Sequence, residues 1–145
     1  MPSSLHLVVE IPYTPEPFWL ASGQALAGVR CLSGECGDGD VALVMFTLAT
    51  YNRKSGSPPL SPTELTAAEH LLLPGGVAVK DDVQEIYPSC CSGVECWSEW
   101  QYLLEEGRVP WMGHDPTPTA QRINDGSYQV WQDEDLPGSQ SLWPG

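Results

Sequence analysis

Five cysteines and three histidines are the side chains with the most reactive chemistry in this chain. The cysteines fall as Cys31-x4-Cys36 and Cys91-x4-Cys96, with Cys90 directly ahead of the second pair. Four thiolates, or three and an imidazole, make a tetrahedral zinc set, so Cys31, Cys36, Cys91, Cys96 and His114 define a candidate metal- or thiol-dependent site. Neither pair has the tight C-x2-C form of a zinc knuckle. A nucleophilic reading takes Cys90 or Cys91 as the thiol, His114 as base and Asp115 as orienter, with a helix start lowering the thiol pKa. Glu95 and Glu99 on the same helix oppose a thiolate, and no nucleophile elbow or cysteine-protease signature occurs.

A local packing argument competes with both. Ser92 and Glu95 have the spacing of a capping box, which places Cys91 just before the cap and Cys96 at the fourth helical position. Those two positions form a hydrophobic staple, and a buried cysteine behaves as a small apolar residue. On this reading the cysteines are packing residues, with no metal, cofactor or catalytic residue expected and the chain more a binder than an enzyme. An odd number of cysteines without an export signal also favours free thiols over a disulfide framework. The acidic loop SGECGDGD at 33–40 lacks the later glutamate of a calcium loop and is expected to be a β-turn. His6 and His70 are expected to be structural or surface residues. No phosphate-binding or dinucleotide glycine motif occurs.

Charge is the strongest global feature. Nineteen acids against six bases give a formal net charge of −13. Residues 1–80 carry seven acids and four bases, whereas residues 81–145 carry twelve acids and two bases, Arg108 and Arg122. A field of that sign repels nucleic-acid phosphate and anionic lipid and attracts basic partners. No apolar run approaches the ~20 residues that cross a membrane. The opening MPSSLHLVVEIPYT has neither the basic segment nor the apolar stretch of a signal peptide, so a soluble, cytoplasmic protein is expected.

The elements that position these residues follow from periodicity and punctuation. At 145 residues the chain has the length of one domain, able to bury roughly 70% of its unfolded surface. Residues 5–11 alternate, with Leu5, Leu7, Val9 and Ile11 on one strand face. Proline breaks 12–17, and a further strand is expected near 26–32. The run VALVMFTLATY at 41–51 predicts a central strand covered on both faces. Ser61, Pro62 and Glu64 start a helix over 61–73, with Leu60 and Leu65 as its staple and Pro74-Gly75-Gly76 as its stop. Residues 77–80 and 83–87 predict a hairpin around Asp81-Asp82. The second helix runs from Ser92 to Gly107, with Val94, Trp97, Trp100, Leu103 and Leu104 toward the core. Asn124-Asp125-Gly126 predicts a hairpin between 120–123 and 127–132.

The expected fold class is α+β: a mixed or antiparallel sheet of about five to seven short strands with two capped helices packed on it. Residues 1–135 form the domain, and 136–145 a loose tail on which Trp143 can dock. The expected function is binding of a basic protein, a toxin or an enzyme, by a small acidic inhibitor- or immunity-type protein. The expected contact surface is Glu95, Glu99, Glu105, Glu106, Trp111, His114, Asp133, Glu134 and Asp135. Trp111 and Met112 lie on a proline-ordered loop, where they serve as an anchor or as a plug on the sheet edge. The metal or thiol site is the alternative, and a phage or accessory structural role is a third.

Overall fold

The structure, a computed structural model, describes residues 4–11, 28–134 and 140–144. It is α+β, with seven strands and three α-helices among those residues. The strands divide into two antiparallel sheets rather than the single sheet expected. The first has the order β2-β1-β3-β4 and the second β5-β6-β7.

β1 (Ser4–Ile11) is interior, paired with β2 (Gly28–Cys31) and β3 (Gly75–Lys80). Its alternating face serves two clusters. Leu5 and Leu7 pack against a core of Val77, Val79, Ile86, Trp100, Leu103, Met112, Ala120, Tyr128 and Val130. Val9 and Ile11 join Leu43 in a second cluster, flanked by Leu73 and Val94. β1 also sets the composition of β3. Val8 and Val9 stand opposite Gly76 and Gly75, and a Cβ at Gly75 would collide with the Val8 carbonyl. The hairpin from β3 to β4 (Glu85–Ile86) turns where Asp81 Oδ1 accepts the Val83 and Gln84 amides at 2.7 and 2.8 Å.

The apolar run at 41–51 is not a strand. It belongs to α1 (Asp38–Tyr51), whose first turn includes residues 38–40 of the expected acidic β-turn. Asp40 accepts the Gly37 amide at 3.2 Å, and acids in a first turn match the helix dipole. Alanine, leucine and methionine in the run are strong helix formers, so a helix is as open to it as a strand. Only Leu43, Thr47 and Ala49 of α1 are buried. Asn52 closes the helix and reaches across the chain. Its Nδ2 donates to the Leu48 and Leu72 carbonyls, and its Oδ1 accepts the Leu72 amide at 2.8 Å.

That clamp shortens the next helix. α2 covers Pro62–Ala67 and not 61–73. Its capping box is as expected, with Ser61 Oγ accepting the Glu64 amide at 3.3 Å and Glu64 accepting the Ser61 amide at 2.8 Å. Beyond Ala67 the backbone is claimed by tertiary partners: Leu72 by Asn52, and the Leu73 carbonyl by the Val94 amide at 2.8 Å.

The second capping box does not form. Residues 94–96 make a 3-10 turn after Gly93, and α3 (Trp97–Glu106) follows with no side-chain cap. Ser92 is buried and its Oγ has no hydrogen-bond partner. With the helix start displaced, Cys91 and Cys96 leave staple spacing. All five cysteines are free thiols and none is buried, so they are not core packing residues. The buried stripe of α3 is correspondingly narrow. Trp100 and Leu103 are 4% and 0% exposed, whereas Trp97 and Leu104, expected in the core, are 55% and 40% exposed. Gly107 ends α3 as expected, at φ 75.

The second sheet consists of β5 (Thr119–Asn124), β6 (Ser127–Trp131) and β7 (Gln140–Pro144). The expected hairpin is β5–β6, pinned by Arg122 on Asp125 at 2.7 Å. Residues 140–144, placed by sequence in the loose tail, pair along β6. The proline-broken stretch 12–17 and the Trp143 side chain lie outside the described residues.

Trp100→Ala is expected to destabilise the protein by about 3–5 kcal/mol, as for emptying a buried large aromatic site. Trp97→Ala should change stability by no more than about 1 kcal/mol, because its ring stands mostly in solvent. Ser92→Ala removes an unpartnered buried hydroxyl, so it should be neutral or stabilise by up to about 1 kcal/mol, the reverse of losing a cap. Urea midpoints of the three variants check these assignments.

Candidate functional site

Two regions carry the residues singled out by sequence. The first is the solvent face of α3. An apolar groove of about 450 Å³ runs between this helix and the first sheet, lined by Leu5, Leu7, Val77, Trp97, Trp100 and Leu104, with His6 and Gln101. Four of the expected carboxylates border the region, and each has local work. Glu95 faces the Leu73 amide at 3.5 Å, and Glu99 accepts the Trp111 amide at 2.6 Å. Glu105 accepts from Gln101 at 2.8 Å, and Glu106 pairs with Arg108 at 2.8 Å. The Arg108 guanidinium sits 4.0 Å from the Tyr102 ring centroid, a cation–π contact. Trp111 is 44% exposed, so it is neither core nor free. Its Nε1 donates to the Cys91 carbonyl at 3.0 Å. Glu134 lies by the second sheet, its amide bonded to the Thr117 carbonyl at 2.9 Å, and Asp133 precedes it. Asp135 lies outside the described residues.

The second region is built from residues 89–92 and 112–116. Met112 is buried in the larger cluster, and its carbonyl accepts the Ser89 amide at 2.8 Å. Cys90 and His114 then form an isolated antiparallel bridge, with the His114 amide donating to the Cys90 carbonyl at 3.0 Å. Between them Gly113 adopts φ 97, and a Cβ there would lie 2.5 Å from the Ser89 carbonyl oxygen. Only glycine permits this approach. Ser89 Oγ donates to the His114 and Pro116 carbonyls, and His114 Nδ1 lies 3.1 Å from Asp115 Oδ2. Cys91 and Asp115 have positive φ, 67 and 56, which is costly for side-chain-bearing residues.

The ladder brings two thiols together beside an imidazole. Cys90 Sγ lies 3.2 Å from Cys91 Sγ. Hydrogen bonding to Cys91, then desolvation, pushes the Cys90 thiol above its ordinary range. A pocket of about 590 Å³ adjoins them, with Ser89, Ser92, Glu10 and Asp115 in its wall. Of the five residues grouped by sequence as a metal or thiol set, only Cys91 and His114 meet, and they meet with Cys90. Cys96, at the end of the 3-10 turn, is not part of that group. Cys31 and Cys36 form a separate local pair, Cys36 Sγ donating to the Cys31 carbonyl at 3.4 Å.

One grouping is invisible to sequence spacing. β1–β2 pairing sets Val8 opposite Cys31, which puts His6 diagonally across from it on the same face. His6 Nδ1 is 3.5 Å from Cys31 Sγ, and Nε2 is 2.7 Å from Ser4 Oγ. Lys80, Glu85 and Tyr87 share this shallow pocket. Lys80 and the Tyr87 hydroxyl both bond the Glu85 carboxylate, holding Glu85 below its usual range and raising Lys80 and Tyr87. Only strand register places these residues together.

Fold and sites define an acidic α+β protein with two antiparallel sheets, an apolar groove along α3 and a thiol–imidazole cluster on a braced loop pair. Comparison with protein-family models, with curated proteins and with solved structures returned no match. Among the described residues no helix is long and apolar enough to cross a membrane.

Gly113→Ala is expected to cost about 2 kcal/mol or more, since both the left-handed backbone and the Ser89 carbonyl oppose the methyl group. Gly126→Ala, also at positive φ but facing open space, should cost only about 1 kcal/mol. Thermal or urea unfolding of the two variants separates the steric effect from the conformational one.

Proposed function

We propose that this chain is a small acidic protein-binding protein of the inhibitor or immunity type, acting in the cytoplasm, whose α3 face covers a basic site on another protein. One observation carries the reading: α3 exposes Trp97 and Leu104 beside an apolar groove, on a helix whose charged residues are all carboxylates. Exposed tryptophan beside apolar concavity is the usual composition of an interface anchor. An isolated helix face could rest on the narrow stripe of Trp100 and Leu103 alone, so Trp97 and Leu104 are surplus to folding.

Charge gives the partner its chemistry. The formal net charge of −13 attracts a positively charged surface and discourages an acidic one. Glu105 and Glu106 stand at the solvent end of α3, where charges steer encounter; Asp133 and Glu134 extend the same sign. Glu99 has a different task. By holding the Trp111 amide it fixes the loop that presents Trp111, a pre-ordering that lowers the entropy cost of binding. His114 lies 6.2 Å, ring to ring, from Trp111.

The test uses the purified full chain, affinity capture of the partner, and association kinetics at low and high salt. Glu105→Lys with Glu106→Lys should leave the fold intact and slow association at low salt by about tenfold or more, with a smaller salt dependence. Trp97→Ala should speed dissociation with a loss of about 2 kcal/mol or more, the size expected of an anchor. An acidic partner, or binding that ignores both the charge reversal and the loss of Trp97, would overturn this function.

A further inference from the structure

Cys90, Cys91 and His114 are the one group of three or more potential metal donors that converges among the described residues, with ligand atoms within 4.8 Å of one another. We propose that these three side chains bind a thiophilic divalent cation of the zinc class, with a fourth coordination position open to the adjoining pocket. The proposal is independent of the α3 interface.

The donor set fits. Two thiolates and an imidazole are ligands that zinc takes in tetrahedral sites, and three protein ligands with one open position are the pattern of sites that act on a further ligand. With bonds of about 2.3 Å, two thiolates on one tetrahedral ion stand about 3.8 Å apart. The Cys90 and Cys91 sulfurs are at 3.2 Å, so entry of an ion needs only a small opening. A disulfide between the same residues is disfavoured by reach. Neighbouring Cα atoms across a trans peptide are about 3.8 Å apart, short of the roughly 4.4 Å at which unstrained disulfides begin. The only cis peptide among the described residues is Asp115–Pro116.

The surroundings supply what a metal site needs beyond its ligands. The Asp115 carboxylate at His114 Nδ1 fixes the Nδ1–H tautomer, leaving the Nε2 lone pair as the donor. The loop pair is held from four directions: by the Ser89–Met112 and Cys90–His114 backbone bonds, by Ser89 Oγ on the His114 carbonyl, and by Trp111 Nε1 on the Cys91 carbonyl. Left-handed backbone at Cys91 turns its thiol beside that of Cys90, a conformation with no packing reward because both thiols are exposed. Such strain on a well-braced loop marks a position set by ligation rather than by folding. Ser92, buried and unpartnered in the pocket wall, offers a hydroxyl near the open side.

The experiment titrates Zn²⁺, and separately Co²⁺, into the reduced full-length chain held in a phosphine reductant. One ion per chain is expected, with Co²⁺ giving thiolate-to-metal charge-transfer absorption. Cys90→Ser, Cys91→Ser and His114→Ala should each weaken Zn²⁺ binding by more than about 100-fold, and Asp115→Asn by about 10–100-fold, as for loss of a ligand's supporting carboxylate. Cys31→Ser with Cys36→Ser should bind as the native chain does. Circular dichroism confirms that each variant is folded; if one is not, the native stoichiometry and Co²⁺ spectrum decide. No stoichiometric ion, a Co²⁺ spectrum without thiolate absorption, or affinity that survives loss of both Cys90 and Cys91 would overturn the site.

Discussion

Burial of Met112 is the contact on which the rest of the molecule depends. Its side chain is 1% exposed in the larger cluster, among residues of both sheets and of α3. Its carbonyl holds Ser89, and the two residues after it run along Cys90. One side chain thus fixes the 112–116 loop to the core and to 89–92 at once. Cavity formation at such a position, where sheets and helix share one packed volume, leaves no neighbour free to collapse into the gap. The two thiols, the imidazole and the Trp111 indole take their positions from that anchor.

The same commitment explains why α3 is shaped as it is. Backbone bonds from Ser92 to Ser89 and from Val94 to Leu73, with the Pro74–Gly93 bridge, tie 92–94 to the neighbouring chain. The helix therefore starts after a 3-10 turn, one turn later than a Ser92 start would place it. Trp100 and Leu103 fill the core, while Trp97 and Leu104 are left on the surface above a groove.

Acidity acts on both candidate surfaces through one field. A strongly negative chain concentrates cations of every kind near it, whether the lysines and arginines of a protein or a divalent ion. The two roles are separated by local chemistry. Around α3 the carboxylates are spread along a helix and partly neutralised by Arg108, which suits steering. At Cys90, Cys91 and His114 the donors are soft and converge within 4.8 Å, which suits coordination.

Sequence by itself determined whatever depends on near neighbours. The alternation of β1, the Ser61–Glu64 capping box, the left-handed Gly107, the Asp81 turn and the Asn124–Gly126 hairpin are all as read, because each rests on residues within a few positions of one another. The acidic bias of residues 81–145 needs no fold at all. Tertiary structure decided the remainder. The apolar run at 41–51 satisfies both strand and helix propensities, and only its packing against β1 and the Asn52 clamp settles it as α1. Ser92 and Glu95 have capping-box spacing, yet Ser89 and Leu73 claim the neighbouring backbone first. The equal spacing of Cys31–Cys36 and Cys91–Cys96 suggested one four-thiol set, whereas strand register sends Cys31 to His6 and a loop bridge gives Cys90 and Cys91 to His114. Register and loop bridging are long-range choices, fixed by which apolar side chains reach the core together, and spacing along the chain does not encode them.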